Sequence, residues 1–297
     1  MYHKPVLLKE SIEGLNILEG GVYVDTTYGG GGHSKEILGK IGNGSLIAFD
    51  QDIDAIENKI EDERLILIQQ NFRYMRNFLK LYKAVPVNGI LADLGISSHQ
   101  IDEGERGFSV RFDAGLDLRM NREKGMSAKE IVNGWPVREI RNVLYRYGDL
   151  KNSGKVAVAI ESFRNEKEIE TTAQLKEAIG KCAPRGLENK FYARVFQALR
   201  IEVNDELGAL KEMLKQSVDV LEKGGRIVVI SYHSLEDRLV KNFFRTGNFE
   251  GKQEKDFYGN LITSLKPVNR KPLVPTEEEI KSNSRARSAK LRIAEKI

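Results

Sequence analysis

Short apolar runs alternate with helical spacing through the first hundred residues. Val22-Tyr-Val-Asp-Thr26, Leu46-Ile-Ala-Phe49, Leu65-Ile-Leu-Ile68 and Ile90-Leu-Ala-Asp-Leu94 each read as a strand, because they are too short for buried helices. Between them apolar residues recur three or four positions apart: Ile37, Leu38 and Ile41, then Ile53, Ile56 and Ile60, then Met75, Phe78, Leu79 and Tyr82. Strands that are apolar on both sides need cover on both faces, and intervening helices supply it. The pattern therefore predicts an α/β protein with a parallel sheet.

The rhythm then changes. From about Glu103 to Arg200 no strand recurs at that spacing, and Arg106-Gly-Phe-Ser-Val-Arg-Phe112 reads as loop. Ser127 followed by Glu130 has capping-box spacing, and Pro136 suits a first helical turn with Gly148 as its stop. A helix near Glu202–Leu221, a turn at Gly224-Gly225, a strand over Arg226-Ile-Val-Val-Ile-Ser231 and a helix over Leu235–Phe244 resume the α/β pattern. The expected organisation is a discontinuous domain, residues 1–103 and 201–297, interrupted after its fourth strand by a helical insert at 104–200. Near the end Ala289, Leu291 and Ile293 alternate with Lys290 and Arg292, which predicts a half-buried edge strand.

Composition narrows the class. Of 297 residues, 40% are hydrophobic and 30% charged, enough apolar surface to exclude a disordered chain. No apolar run approaches the roughly 18 residues of a membrane helix, and Met1-Tyr-His-Lys-Pro5 lacks a signal sequence's apolar core, so a cytoplasmic protein is expected. Cys182 is the single cysteine, which excludes an internal disulfide, and no paired Cys/His spacing points to a metal site. The net charge of +4 is unevenly spread: residues 104–200 hold 19 Lys and Arg against 13 Asp and Glu, and residues 281–297 hold 6 against 1. Two basic segments on an acidic body fit a polyanionic partner, and equally fit solvated helix faces.

Asp25-Thr-Thr-Tyr-Gly-Gly-Gly-Gly-His-Ser34 sits between the first strand and its helix. Glycines there let a ligand approach the backbone and the helix start. Asp50 ends the second strand, where a carboxylate can accept from both ribose hydroxyls. His33, Ser34 and Lys35 fit poorly into a dinucleotide glycine fingerprint, and the acidic surroundings suit a cationic sulfonium better than a pyrophosphate. S-adenosylmethionine is the favoured cofactor, with NAD the alternative. Phe72 follows the third strand, where an aromatic ring can stack on adenine or simply pack in the core. Asp93-Leu-Gly-Ile-Ser-Ser-His-Gln100 leaves the fourth strand at the sheet's carboxyl end and concentrates acceptors for a reacting amine.

With these motifs the chain resembles the ribosomal RNA small subunit methyltransferase H family, bacterial enzymes that methylate cytosine N4 in 16S rRNA. The resemblance runs through His3-Lys-Pro-Val-Leu-Leu8, the glycine cluster, Asp93-Leu-Gly-Ile-Ser-Ser98, Arg106-Gly-Phe-Ser109, Leu116-Asp-Leu-Arg-Met120, Phe196-Gln-Ala-Leu-Arg-Ile201, His233-Ser-Leu-Glu-Asp-Arg238 and Arg285-Ala-Arg-Ser-Ala-Lys-Leu-Arg292. It implies a Rossmann-like class I S-adenosylmethionine-dependent methyltransferase sheet, mostly parallel, with a helical domain inserted after the fourth strand. It further implies that Gly31, Gly32 and His33 line the cofactor's methionine and ribose side, that Asp50 holds the ribose, that Phe72 flanks the adenine, and that Asp93 and Gln100 close the site near the methyl group.

Cytosine N4 is a weak nucleophile, so the enzyme must hold it in line with the methyl group and accept its N–H. Asp93, Ser97 and Ser98 are the candidate acceptors, and His233 is either a proton shuttle or a structural histidine. The base must leave its stack to reach the methyl donor. Arg106, Phe108, Arg111, Phe112 and Arg119 interleave charge and aromatics as RNA contacts do, and Arg285 and Arg287 are placed to reach phosphate. The expected partner is 16S rRNA, free or within the small ribosomal subunit. The competing readings are an NAD-dependent oxidoreductase and a non-catalytic RNA-binding assembly factor with a relic cofactor site.

Overall fold

The computed structural model describes residues 5–97, 100 and 106–297. The chain divides into two compact units, Met1–Gly95 with Leu207–Ile297, and Ile96–Glu206. Among the described residues no helix is long and apolar enough to cross a membrane.

The first unit is built on seven strands: β1 (Val22–Asp25), β2 (Ser45–Asp50), β3 (Leu65–Gln69), β4 (Val87–Asp93), β5 (Leu221–Ser231), β6 (Leu265–Pro267) and β7 (Lys290–Lys296), in the order β3-β2-β1-β4-β5-β7-β6. The first five are parallel, and β7 is antiparallel to both its neighbours. This is the mostly parallel Rossmann-like sheet expected from the sequence. Side chains alternate between two cores along each strand. Val24, Ile90, Ala92, Ile227 and Val229 pack on α4 (Met75–Leu81), α10 (Glu206–Val220) and α11 (Ser234–Thr246) through Met75, Leu79, Leu210, Met213, Leu214 and Phe244. Tyr23, Leu91, Val228 and Ile230 face the other way, with Ile12 and Leu15 of α1 (Leu8–Leu15) and Ile37 and Leu38 of α2 (Gly32–Leu38). A short α3 (Ile53–Glu57) joins β2 to β3, and α12 (Glu277–Ser282) precedes β7.

The second unit is helical: α5 (Ala128–Gly134), α6 (Val137–Gly148), α7 (Ser153–Glu166), α8 (Thr172–Ile179) and α9 (Glu188–Asn204). Ser127 and Glu130 form the anticipated capping box, and Thr171 with Gln174 forms a second. Asp149 ends α6 in a left-handed conformation, one residue after Gly148. The core gathers Ile131, Ile140, Leu144, Val156, Ile160, Leu175, Val195, Phe196 and Leu199.

Three local expectations are corrected. The helix expected at 202–221 is two helices, because Asp205 adopts a left-handed turn at φ 45 and ends α9. β5 starts at Leu221 instead of Arg226: pairing jumps from Val87↔Leu221 to Gly89↔Arg226, so the Gly224-Gly225 segment bulges within the strand. β7 is not an edge strand. It lies between β5 and β6, and Leu291, Arg292, Ile293 and Ala294 are all buried. Arg292 had marked a solvent face in the sequence pattern, but its Nε donates to Asp237 Oδ1 of α11 at 2.7 Å, and Lys290 Nζ lies 3.4 Å from Asp237 Oδ2.

Removing one partner of a buried ion pair leaves the other charge without compensation, which costs about 3–5 kcal/mol. Asp237→Ala should therefore lower unfolding free energy by about 3 kcal/mol in urea titrations. A loss under about 1 kcal/mol would mean that the pair is solvated.

Candidate active site

Parallel strands aim their carboxyl ends at one rim, and here three neighbouring strands each end in aspartate. β2 ends at Asp50, β1 at Asp25 and β4 at Asp93. Strand order reverses between β1 and β4, the place where open α/β sheets bind ligands. Beside β4, β5 delivers Tyr232 just beyond Ser231.

Asp25 is buried. It accepts from Ser34 Oγ at 2.7 Å and from the Thr27 amide at 3.0 Å, and burial pushes its carboxyl up from the ordinary range. Asp50 is half-buried, accepting from the amides of Gly29 at 2.8 Å and Asp52 at 2.9 Å. Burial, with Asp52 and Asp25 adding repulsion, pushes it up to about 6 against those hydrogen bonds. Asp93 accepts from the Tyr232 hydroxyl at 2.8 Å, and its own amide donates to Thr27 Oγ1 at 2.7 Å. Burial, then Asp25 and Glu236, push it up to about 7. His33 opens α2, with Nε2 3.2 Å from the Val6 carbonyl and Nδ1 3.8 Å from Asp93 Oδ2. A carbonyl only accepts, so Nε2 carries the proton and Nδ1 turns a lone pair towards Asp93. Burial lowers His33 to about 4, so the imidazole is neutral at pH 7.

The glycine cluster serves its own chain as well. Gly31 has φ 73, and a Cβ there would fall 2.7 Å from the Tyr28 hydroxyl; a Cβ on Gly32 would overlap Pro5. Packing thus accounts for both glycines, and what they offer a cofactor is backbone alone. Phe72 begins a 3-10 turn after β3, with Asn71 as its cap. Asn71 Nδ2 donates to Gln51 Oε1 at 3.0 Å, tying this turn to the loop that follows Asp50. Phe72 is half-buried against the core.

Other candidates fall elsewhere. Ser97 and Gln100 belong to the second unit and pair with each other: the Ser97 amide donates to Gln100 Oε1 at 3.1 Å, and the Gln100 amide to Ser97 Oγ at 3.2 Å. Ser98 lies outside the described residues. His233 caps α11. Its Nδ1 accepts from the Glu236 amide at 3.3 Å, and Glu236 Oε2 accepts from the amides of Tyr232 at 2.9 Å and His233 at 3.2 Å. This geometry gives the histidine a structural task.

The RNA candidates need a correction. Arg106 is 3% exposed; its guanidinium donates to the Arg119 and Met120 carbonyls and lies 5.5 Å over the ring of Phe108, which is also buried. Burial removes both residues from the surface that RNA could meet. Arg119 is half-buried in a bidentate pair with Asp117, at 2.7 and 3.1 Å. Arg111, Phe112 and Arg287 are exposed, and Arg285 is half-buried. Tyr232 was missed as a site residue; its only signal was its place directly after the apolar run of β5.

The family model described as MraW methylase family matches residues 1–297. A ribosomal RNA small subunit methyltransferase H from Christiangramia forsetii is 53% identical over 297 residues, spanning 100% of this chain and 98% of that protein. One from Parabacteroides distasonis is 54% identical over 298 residues, with the same coverage. A solved rRNA methylase from Streptococcus thermophilus covers 100% of this chain and 99% of its own, at 11% identity and a TM-score of 0.45, too loose to carry detail across.

A carboxyl raised by folding favours the folded state only while protonated, and that contribution is lost as pH climbs through its folded pKa. For Asp93 the window runs from the ordinary carboxylate range up to about 7. Asp93→Asn cannot ionise, so in the ligand-free protein its melting temperature relative to wild type should rise between pH 4 and pH 7 and level off above. A difference that is constant across that range would show that Asp93 titrates normally.

Proposed function

We propose that this chain, which belongs to the MraW methylase family, transfers a methyl group from S-adenosylmethionine to the N4 amine of a cytidine in 16S ribosomal RNA. The observation that carries this reading is the acidity of the sheet's carboxyl rim, which no charged cation among the described residues offsets. The groups acting on Asp25, Asp50 and Asp93 are hydrogen bonds and other carboxylates, and the nearby imidazole of His33 is held neutral. Such a rim fits a cofactor that brings a positive charge. It repels a pyrophosphate, which disfavours NAD. The names of the relatives, small subunit methyltransferases of ribosomal RNA, support the substrate.

S-adenosylmethionine, when bound, supplies an electrophilic methyl group on a sulfonium. The rest falls to this chain. Asp50, with both carboxylate oxygens steadied by backbone amides, accepts from the ribose hydroxyls. Phe72 flanks the adenine, and the backbone at Gly31 and Gly32, with His33, borders the ribose and methionine. Asp93 accepts the N–H of the cytosine amine, orienting the nitrogen lone pair and drawing the proton away as charge develops. Residues 104–200, with their basic excess, form the RNA-recognition domain, where Arg111 and Phe112 offer phosphate contact and stacking. Arg285 and Arg287 add positive charge in the catalytic domain. The target is the 16S rRNA of the small subunit, methylated in the cytoplasm.

Mass spectrometry of 16S rRNA nucleosides tests this reading. A strain lacking the gene should lose N4-methylated cytidine at one position. The wild-type gene should restore it and the Asp93→Asn gene should not. An unchanged nucleoside profile on deletion would refute the activity. Restoration by the Asp93→Asn gene at wild-type levels would remove Asp93 from the reaction.

A further inference from the structure

Tyr232 has no part in the reading above, yet it is the group that holds Asp93. Its hydroxyl donates to Asp93 Oδ1 at 2.8 Å across the β4–β5 pairing, from 139 positions away in the chain. Its own backbone is fixed in turn. The Tyr232 amide donates to Glu236 Oε2 at 2.9 Å, and Glu236, buried, closes the cap of α11 with His233. The ring lies beside Gly95, where a Cβ would meet Tyr232 Cδ2 at 3.6 Å. The Thr27 hydroxyl, accepting from the Asp93 amide, fixes the other end of the residue.

We propose that Tyr232 is a positioning residue that pins Oδ1 of Asp93, so that Oδ2 is the oxygen presented to the substrate amine and the one that takes its proton. The proposal rests on the methyltransferase reading. As the amine lone pair forms the C–N bond, the C–S bond breaks and its electron pair goes to sulfur. The methylated nitrogen is left with a positive charge and releases one proton to Oδ2. Three observations support the division between the two oxygens. Oδ1 already accepts from a phenol. That phenol stays protonated, because burial and the adjoining Asp93 carboxylate push it well above its ordinary value, so it is a permanent donor. Oδ2 lies 3.8 Å from Nδ1 of neutral His33, beyond hydrogen-bond reach and facing a lone pair, so this histidine offers no donor to an ionised Oδ2.

The groups facing this pair are Asp25 on β1, His33 on α2, Glu236 on α11 and, towards the phenol, Glu279 on α12. The carboxylates among them disfavour ionised Asp93, and the Tyr232 hydroxyl opposes them. A hydrogen bond to the charged form lowers a carboxyl's pKa, so removing it must raise the pKa.

Tyr232→Phe deletes one oxygen and keeps the ring. Its single-turnover rate should be measured from pH 5.5 to 9, with saturating S-adenosylmethionine and small subunits from a strain lacking the gene. The expected profile has its midpoint about one pH unit above wild type, consistent with the loss of one hydrogen bond to a charged group. At the alkaline plateau the rate should lie within about threefold of wild type, with KM for the subunits unchanged. A midpoint that stays at the wild-type pH, or a loss equal at every pH, would overturn the positioning role. A carbon-13 carboxyl titration of the ligand-free variant gives a second readout that needs no turnover: the Asp93 resonance should titrate higher than in wild type, and an unmoved resonance would overturn the role. Asp93→Asn separates the two claims. If it is slow while Tyr232→Phe is unshifted, only the tyrosine's role fails. If Asp93→Asn turns over like wild type, the reading of Asp93 fails and takes this one with it.

Discussion

Asp25, Asp50 and Asp93 crowd the carboxyl ends of three adjoining strands, and among the described residues no charged cation pairs with them at pH 7. Carboxylates held in low dielectric raise one another's pKa, and each is kept in place by hydrogen bonds that favour its charge. The two tendencies oppose each other at every position. Gly29 and Asp52 amides steady Asp50, Ser34 and Thr27 steady Asp25, and Tyr232 steadies Asp93, while burial pushes all three towards protonation. Ionising such a rim is unfavourable without a nearby cation, and this supports the proposed cationic cofactor.

The fold makes this crowding possible. Strand order reverses between β1 and β4, so the loops leaving these strands diverge, and the start of α2 meets their terminal aspartates through Ser34 and His33. The glycine cluster turns the chain tightly after β1, because Tyr28 and Pro5 fill the space where side chains of Gly31 and Gly32 would lie. The same turn brings His33 to Asp93 as a neutral neighbour in place of a counter-ion. On the far side, β7 returns antiparallel to β5, and the Arg292–Asp237 pair fastens it to α11, the helix whose cap holds Tyr232.

Much of this was legible in the chain. The five parallel strands are continuous apolar runs because both faces are covered, and a run without polar alternation is hard to mistake. Asp50 could be found because it follows a glycine cluster by one βα step. Contacts that join distant segments were not legible. Nothing local tells that Tyr232 meets Asp93, since their meeting depends on β5 pairing with β4. Arg106 and Arg292 look solvated in sequence because arginine usually is, yet carbonyls receive the first and Asp237 the second. β7 read as an edge because β6 is only three residues long and gives no pattern to detect.

Calorimetric titration of the protein with S-adenosylmethionine near pH 6.5, in buffers of different ionisation enthalpy, tests whether a cationic cofactor completes the acidic rim. A positive charge arriving beside Asp50 and Asp93 lowers their pKa values, so binding should release protons to the buffer and affinity should rise from pH 5.5 to 7.5. Binding without proton release, or with proton uptake, would contradict the account.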